Sequence, residues 1–261
     1  MLYTDPSQMD LKKYKRLFVF GCSFTNYRWD SWADVLRREM PEALYINTGS
    51  SGAGQSYISA QLSQHINMFN PGPDDLVAIM WSTFYREDRY VNNDWITPGN
   101  IFTQAEYPAS WMDYMDRRGM TIRDLATIDH VMHRLQSANF DSFAMLSVPV
   151  ELQSQYSGID QNERTSDLIA AYQHLNNMLL PDLMTTQFAD GWDNSYTYWD
   201  DQNSQSFTDY HPSIVGYAEY LTKIGFQLSD STLQYVQSEH ERLLAITHKA
   251  QLRTPQSEQL F

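Results

Sequence analysis

The sequence predicts an α/β fold with a central parallel sheet. Short apolar runs end at glycine, proline or polar turns, as buried strands do, and segments with apolar residues at helical spacing lie between them. The alternation recurs along the chain, and strand–helix–strand repeats of this kind pair in parallel through right-handed crossovers.

The first strand is read in residues 17–20, an apolar run stopped by Gly21. Trp32, Val35 and Leu36, following Trp29, fall at helical spacing, and Pro41 closes that helix. A short strand is expected at 44–46, followed by a small, glycine-rich loop at 47–54 (NTGSSGAG). Ile58, Leu62 and Ile66 mark the next helix, and residues 76–80 the third strand. Residues 85–116 are irregular, polar and aromatic (Tyr90, Trp95, Phe102, Tyr107, Trp111, Tyr114), and a loop of that length inside a compact domain is usually functional or a lid. Ile122, Leu125, Ile128, Met132 and Leu135 trace a helix, 143–150 a strand, and 166–180 another helix. Residues 190–209 are acidic and aromatic without a clear period. Pro212 opens a helix carrying Val215, Tyr217, Ala218, Leu221 and Ile224, with Gly225 at its end. A last helix is expected over 230–250. The reading is one domain over 1–228, with insertions near 85–116 and 190–208, and a C-terminal helix and tail over 229–261.

Composition excludes several classes. The 261 residues carry a formal net charge of -14, which argues against nucleic acid as partner, since phosphates need a basic face. The basic cluster Lys12, Lys13, Lys15 and Arg16 reads as the solvated lead-in to the first strand. The single cysteine, Cys22, excludes an internal disulfide framework. The N-terminal MLYTDPSQMD lacks a basic region followed by an apolar stretch, so no signal peptide is expected. No apolar run approaches the roughly 18 residues of a membrane span. The chain is expected to be soluble, either cytoplasmic or virion-associated, with no membrane partner.

In an open parallel sheet, ligands bind at the carboxyl ends of the strands. Four segments fall there: GCSFT at 21–25, NTGSSG at 47–52, WSTF at 81–84 and TDYHPS at 208–213. Ser23 sits two residues past the strand-ending glycine, close to the expected start of the next helix. A serine needs a neighbouring base to act as a nucleophile. His211, in a polar loop before Pro212, is the natural base, whereas His65, His130, His133, His174, His240 and His248 fall in helical patterns and read as surface or packing residues. Asp209 would hold the imidazole in the correct tautomer, with a turn or cap as its plain alternative. The Ser23 and Gly52 N–H groups and the Thr83 hydroxyl are candidate oxyanion donors. No lysine follows the glycines of 47–54, which disfavours a P-loop. Cys22 is a stronger nucleophile by type, but alternation past the strand sends it away from the cleft, as a small buried filler. Asp190, Asp193, Asp200 and Asp201 offer oxygen ligands of the kind calcium takes, without EF-hand spacing, and plain solvation of that loop is the simpler reading. The reaction needs no cofactor.

These four segments, in this order, resemble the SGNH, or GDSL-like, hydrolase superfamily. FVFGCSFT resembles its first block, with Ser23 as nucleophile; Asn47 and Gly52 match the second; LVAIMWST resembles the strand into the third; DYHPSIVGY resembles the last, with the catalytic histidine. The resemblance spans residues 17–225. It implies a flavodoxin-like three-layer α/β/α domain and hydrolysis of carboxylic esters, including O-acetyl groups on polysaccharides. The style is also similar to uncharacterised superfamily members encoded by tailed phages. Three positions depart from the pattern: Cys22 replaces an aspartate, Thr83 stands where the family has asparagine, and Asp209 lies one residue closer to the histidine than usual. Two functions follow as expectations. One is a serine esterase or deacetylase acting on an acylated small molecule or polysaccharide. The other is an SGNH-fold binding or structural module of a virion, docking on a second copy or on virion proteins through the C-terminal helix.

Overall fold

The computed structural model describes residues 1–102, 107–149, 166–188 and 196–254. Four strands form the central sheet: β1 (Arg16–Phe20), β2 (Leu44–Asn47), β3 (Asp75–Trp81) and β6 (Asp141–Leu146), in the order β2-β1-β3-β6. All are parallel, with Phe18 opposite both Ile46 and Val77, and Val77 opposite Ser142. The fold is a three-layer α/β/α domain on this sheet, as its sequence predicts.

The chain reverses direction across the sheet after β2, and right-handed crossovers then place the helices before and after that reversal on opposite faces. Leu17 and Val19 of β1, with Leu76, Ala78 and Met80 of β3, pack under α1 (Trp32–Arg37), α7 (Ile214–Lys223) and α8 (Asp230–Leu244). Phe18 and Phe20, with Val77, Ile79 and Trp81, pack under α2 (Gln55–Phe69) and α4 (Arg117–Gln136). Every residue of β3 and β6 is buried, which is why these strands read as continuous apolar runs rather than alternating ones. Removing a side chain such as Leu76, fully buried in this core, costs about 2–5 kcal/mol.

The outer edge of β6 is shared by two short pieces of chain: Leu2 bridges Ser142, and Leu180 bridges Met145, both in parallel. The helix expected over 166–180 therefore stops early. Its first turns are α5 (Ser166–Ala171); a 3-10 turn at Gln173–Asn177 then brings Leu180 to the sheet edge, ahead of α6 (Leu183–Gln187). The segment 85–116 holds a small hairpin, β4 (Arg89–Val91) with β5 (Asp94–Ile96), and the one-turn α3 (Ala109–Met112). The aperiodic 190–209 stretch contains a second hairpin, β7 (Tyr196–Asp200) and β8 (Gln205–Asp209). β7 alternates between buried and exposed, whereas β8 is exposed until Asp209, so the pair shows no common period.

The last helix ends at Leu244, short of 250, and its apolar side rests on the chain's own core through Val236 and Leu243. Arg253 then reaches back to the loop before α1. It donates to the carbonyls of Tyr27 and Trp29 and pairs with Asp30 and Asp34. Among the described residues, no helix is long and apolar enough to cross a membrane.

Candidate active site

The loops after β1, β2 and β3 meet the β8–α7 loop over the carboxyl edge of the sheet, around a cleft of about 720 Å³. Ser23, Gly52, Thr83, Asp209 and His211 all line it. The structure brings every site residue expected from the sequence to one place.

Ser23 is presented by a turn in which the Thr25 and Asn26 N–H groups both donate to the Cys22 carbonyl. Gly21 makes that turn tight: a Cβ there would meet Thr25 Oγ1 at 2.0 Å. Helix α1 begins only at Trp32, capped by Ser31, so Ser23 belongs to a turn and not to the helix start that the sequence suggested. Cys22 is wholly buried, in the same core cluster as Phe18, Phe20 and Ile46, and does not line the cleft. Asn47 ties the first two loops together, donating to the Thr25 carbonyl at 2.9 Å and accepting from the Gly49 N–H at 2.9 Å.

His211 Nε2 lies 2.8 Å from Ser23 Oγ, and Nδ1 lies 2.7 Å from Asp209 Oδ1. The same carboxylate oxygen accepts the His211 backbone N–H at 3.0 Å. Thus a two-residue spacing is enough, because Asp209 closes a local turn and grips the ring at once. The other oxygen accepts from the Tyr27 hydroxyl at 2.5 Å and the Tyr198 hydroxyl at 3.1 Å. Burial pushes the Asp209 carboxyl up, but the His211 bond and charge with the Tyr27 bond outweigh it, leaving the group below its ordinary value. Burial, then the nearby Asp209 charge, pushes the Tyr198 phenol up to about 12, so it stays a donor at neutral pH. The Tyr27 ring stacks on the imidazole at 3.7 Å between centroids, and Phe24 lies against it at 5.2 Å. Trp29 Nε1 holds the Pro212 carbonyl at 2.8 Å and fixes the loop behind the ring.

Gly52 has φ +77, a conformation that strains any side chain, and a Cβ there would meet the Thr97 carbonyl oxygen at 2.0 Å. Among the described residues, neither the Ser23 nor the Gly52 N–H has a hydrogen-bond acceptor in the chain. Two free amides and a hydroxyl, Thr83, thus border one cleft beside a serine. Thr83 Oγ1 accepts from Arg86 Nε at 2.9 Å, and Arg86 Nη1 donates to the Ala53 carbonyl at 3.0 Å.

No sequence motif singles out Arg86, Tyr27, Tyr198 or Asp88. Arg86 follows Tyr85, a non-glycine residue in the left-handed region at φ +66. Such strain costs about 1–3 kcal/mol and persists only when over-determined by its surroundings. Here the Tyr85 N–H donates to Asp124, its hydroxyl meets Thr121, and its carbonyl accepts from Ile101. Asp88 caps α2 from outside the helix, accepting the Gly54 and Tyr57 N–H groups at 2.9 and 2.8 Å. The polar, aromatic loop composition was the available signal for these residues, but it named none of them.

The aromatic side chains at the cleft are Phe24, Tyr27, Phe207 and Tyr210, whereas Tyr90, Trp95, Phe102, Tyr107, Trp111 and Tyr114 are absent from its lining. The 85–116 insertion instead contributes Arg86, Pro98, Gly99 and Asn100. Of the four aspartates that offer calcium ligands by sequence, Asp190 and Asp193 lie outside the described residues. Asp200 is held by Lys249 at 2.7 Å, and Asp201 by His248 at 3.1 Å. Away from the cleft, Asp129, His133 and His174 bring possible ligand atoms within 4.8 Å of one another at the surface, the one such group of three among the described residues.

No protein-family model matches the chain. No curated protein matches it either. Among solved structures, the chain is similar to a member of the lipolytic protein G-D-S-L family from Veillonella parvula, at 15% identity and a TM-score of 0.45, over 80% of this chain and 94% of that one. It is also similar to a GDSL-like lipase from Bacteroides thetaiotaomicron, at 14% identity and a TM-score of 0.43, over 88% of this chain and 91% of that one.

Proposed function

We propose that the chain is a serine hydrolase of carboxylic esters. The observation that carries this reading is the continuous line Ser23 Oγ, His211 Nε2, His211 Nδ1, Asp209 Oδ1, with contacts of 2.8 and 2.7 Å. His211 takes the Ser23 proton as Oγ attacks the acyl carbon, then returns it to the departing alcohol. Water repeats the cycle on the acyl-enzyme and releases the acid. Asp209 holds the ring and stabilises the imidazolium. The Ser23 and Gly52 N–H groups and the Thr83 hydroxyl receive the charge that develops on the carbonyl oxygen, and each such donor is worth about 2.7–4 kcal/mol of barrier.

The substrate we favour is an O-acetylated sugar or polysaccharide. Phe207 and Tyr210 stand 42% and 67% exposed at the cleft, as platforms for a sugar ring. The experiment is labelling with a fluorophosphonate probe, followed by turnover of acetylated sugars and short acyl esters, comparing wild type with Ser23→Ala. Labelling at Ser23 and turnover lost in the variant are expected. Absence of both would leave a binding module built on a hydrolase fold.

A further inference from the structure

The cleft holds a cation that the proposed reaction leaves unused. In a chain of formal charge -14, its lining has two guanidinium groups, Arg28 and Arg86, against one carboxylate, Asp209. Asp209 is already saturated by the His211 ring and backbone and by the Tyr27 and Tyr198 hydroxyls. Arg86 is anchored on Thr83 and Ala53. Arg28, partly buried, makes no hydrogen bond or salt bridge among the described residues. By contrast, Arg16, Arg118, Arg123 and Arg253 each sit on carboxylates.

At physiological salt the screening length is about 8 Å, so the acidic outer surface is largely damped at the cleft and its own cations set the local field. A guanidinium presents a planar fork matched to a carboxylate. We propose that Arg28 selects an anionic substrate: an ester whose sugar or acyl part carries a carboxylate near the scissile group. The inference rests on the serine-hydrolase reading and names the substrate class for that same site. Phe207 and Tyr210 take the apolar face of the substrate while Arg28 takes its charge.

The test uses two matched pairs. On the alcohol side, an O-acetylated methyl galacturonide is compared with the O-acetylated methyl galactoside; on the acyl side, mono-4-nitrophenyl succinate is compared with 4-nitrophenyl acetate. Wild type is expected to favour the anionic member of at least one pair by about ten- to hundred-fold in kcat/KM, the scale of a charge-assisted bond. The ratio should shrink in high salt, collapse toward one in Arg28→Gln and survive in Arg28→Lys. Fluorophosphonate labelling of Ser23 with equal rates in both pairs overturns anion selection and leaves the hydrolase reading standing. An anionic preference that persists in Arg28→Gln overturns the assignment to Arg28. No labelling and no turnover in wild type overturns both.

Discussion

Arg86 Nε donates to Thr83 Oγ1 across 2.9 Å, and the same guanidinium holds the Ala53 carbonyl at the end of the second loop. A hydroxyl that accepts from a cation keeps its own hydrogen to give elsewhere, directed away from that cation. Arg86 therefore does for Thr83 what an amide's rigid plane does for asparagine: it fixes where the donor points. Thr83→Val keeps the shape and removes the hydroxyl, and kcat is expected to fall by about 10²–10³-fold with KM little changed. Thr83→Ser should retain most of the rate. Steady-state kinetics on a short acyl ester decide the matter, and an undiminished kcat in Thr83→Val would remove Thr83 from the oxyanion site.

Asp209→Asn should lower kcat by about 10⁴-fold, because an amide presents the wrong partner to the imidazole Nδ1. The same substitution has a pH signature. The folded carboxyl titrates below its ordinary value of 3.8, so its stabilising contribution is present above that pH and lost as pH falls through the folded value. The variant should be less stable than wild type at pH 7, with the gap closing below about pH 3.8. Thermal melts between pH 2 and 7 read this directly.

Gly52→Ala should destabilise the chain and disable it together. The left-handed backbone costs a non-glycine residue about 1–2 kcal/mol, and the new Cβ would also displace the Thr97 carbonyl. A lower urea midpoint with loss of fluorophosphonate labelling is expected. A variant with unchanged midpoint and labelling would show that the 47–54 loop tolerates a side chain there.

Arg253→Ala should cost about 1–2 kcal/mol after allowing for solvent screening of a side chain 40% exposed, since two carbonyls and two carboxylates lose a donor. Thermal or urea unfolding measures it.

The sheet was legible because β1, β3 and β6 are buried on both faces and so appear as unbroken apolar runs. Ser23 and Gly52 were legible because a parallel sheet delivers the ends of its strands to one edge, whereas His211 follows a strand of the separate antiparallel hairpin and was legible from its polar loop before Pro212. The β7–β8 hairpin was not, because its exposed strand carries no periodic signal. Asp209 was named, but its odd spacing left its role open; the His211 N–H bond to the same oxygen supplies the missing physical reason. Arg86 was invisible because it follows a left-handed tyrosine, a conformation no sequence pattern announces.

The reach of Arg253 has a practical side. Its nitrogens hold the carbonyls of Tyr27 and Trp29, and the Tyr27 ring lies flat on His211. A substitution or protease cut near residue 253 is therefore expected to reach the imidazole through two contacts. Preparations that differ only in how this end of the chain is handled should be compared for activity before any active-site variant is interpreted.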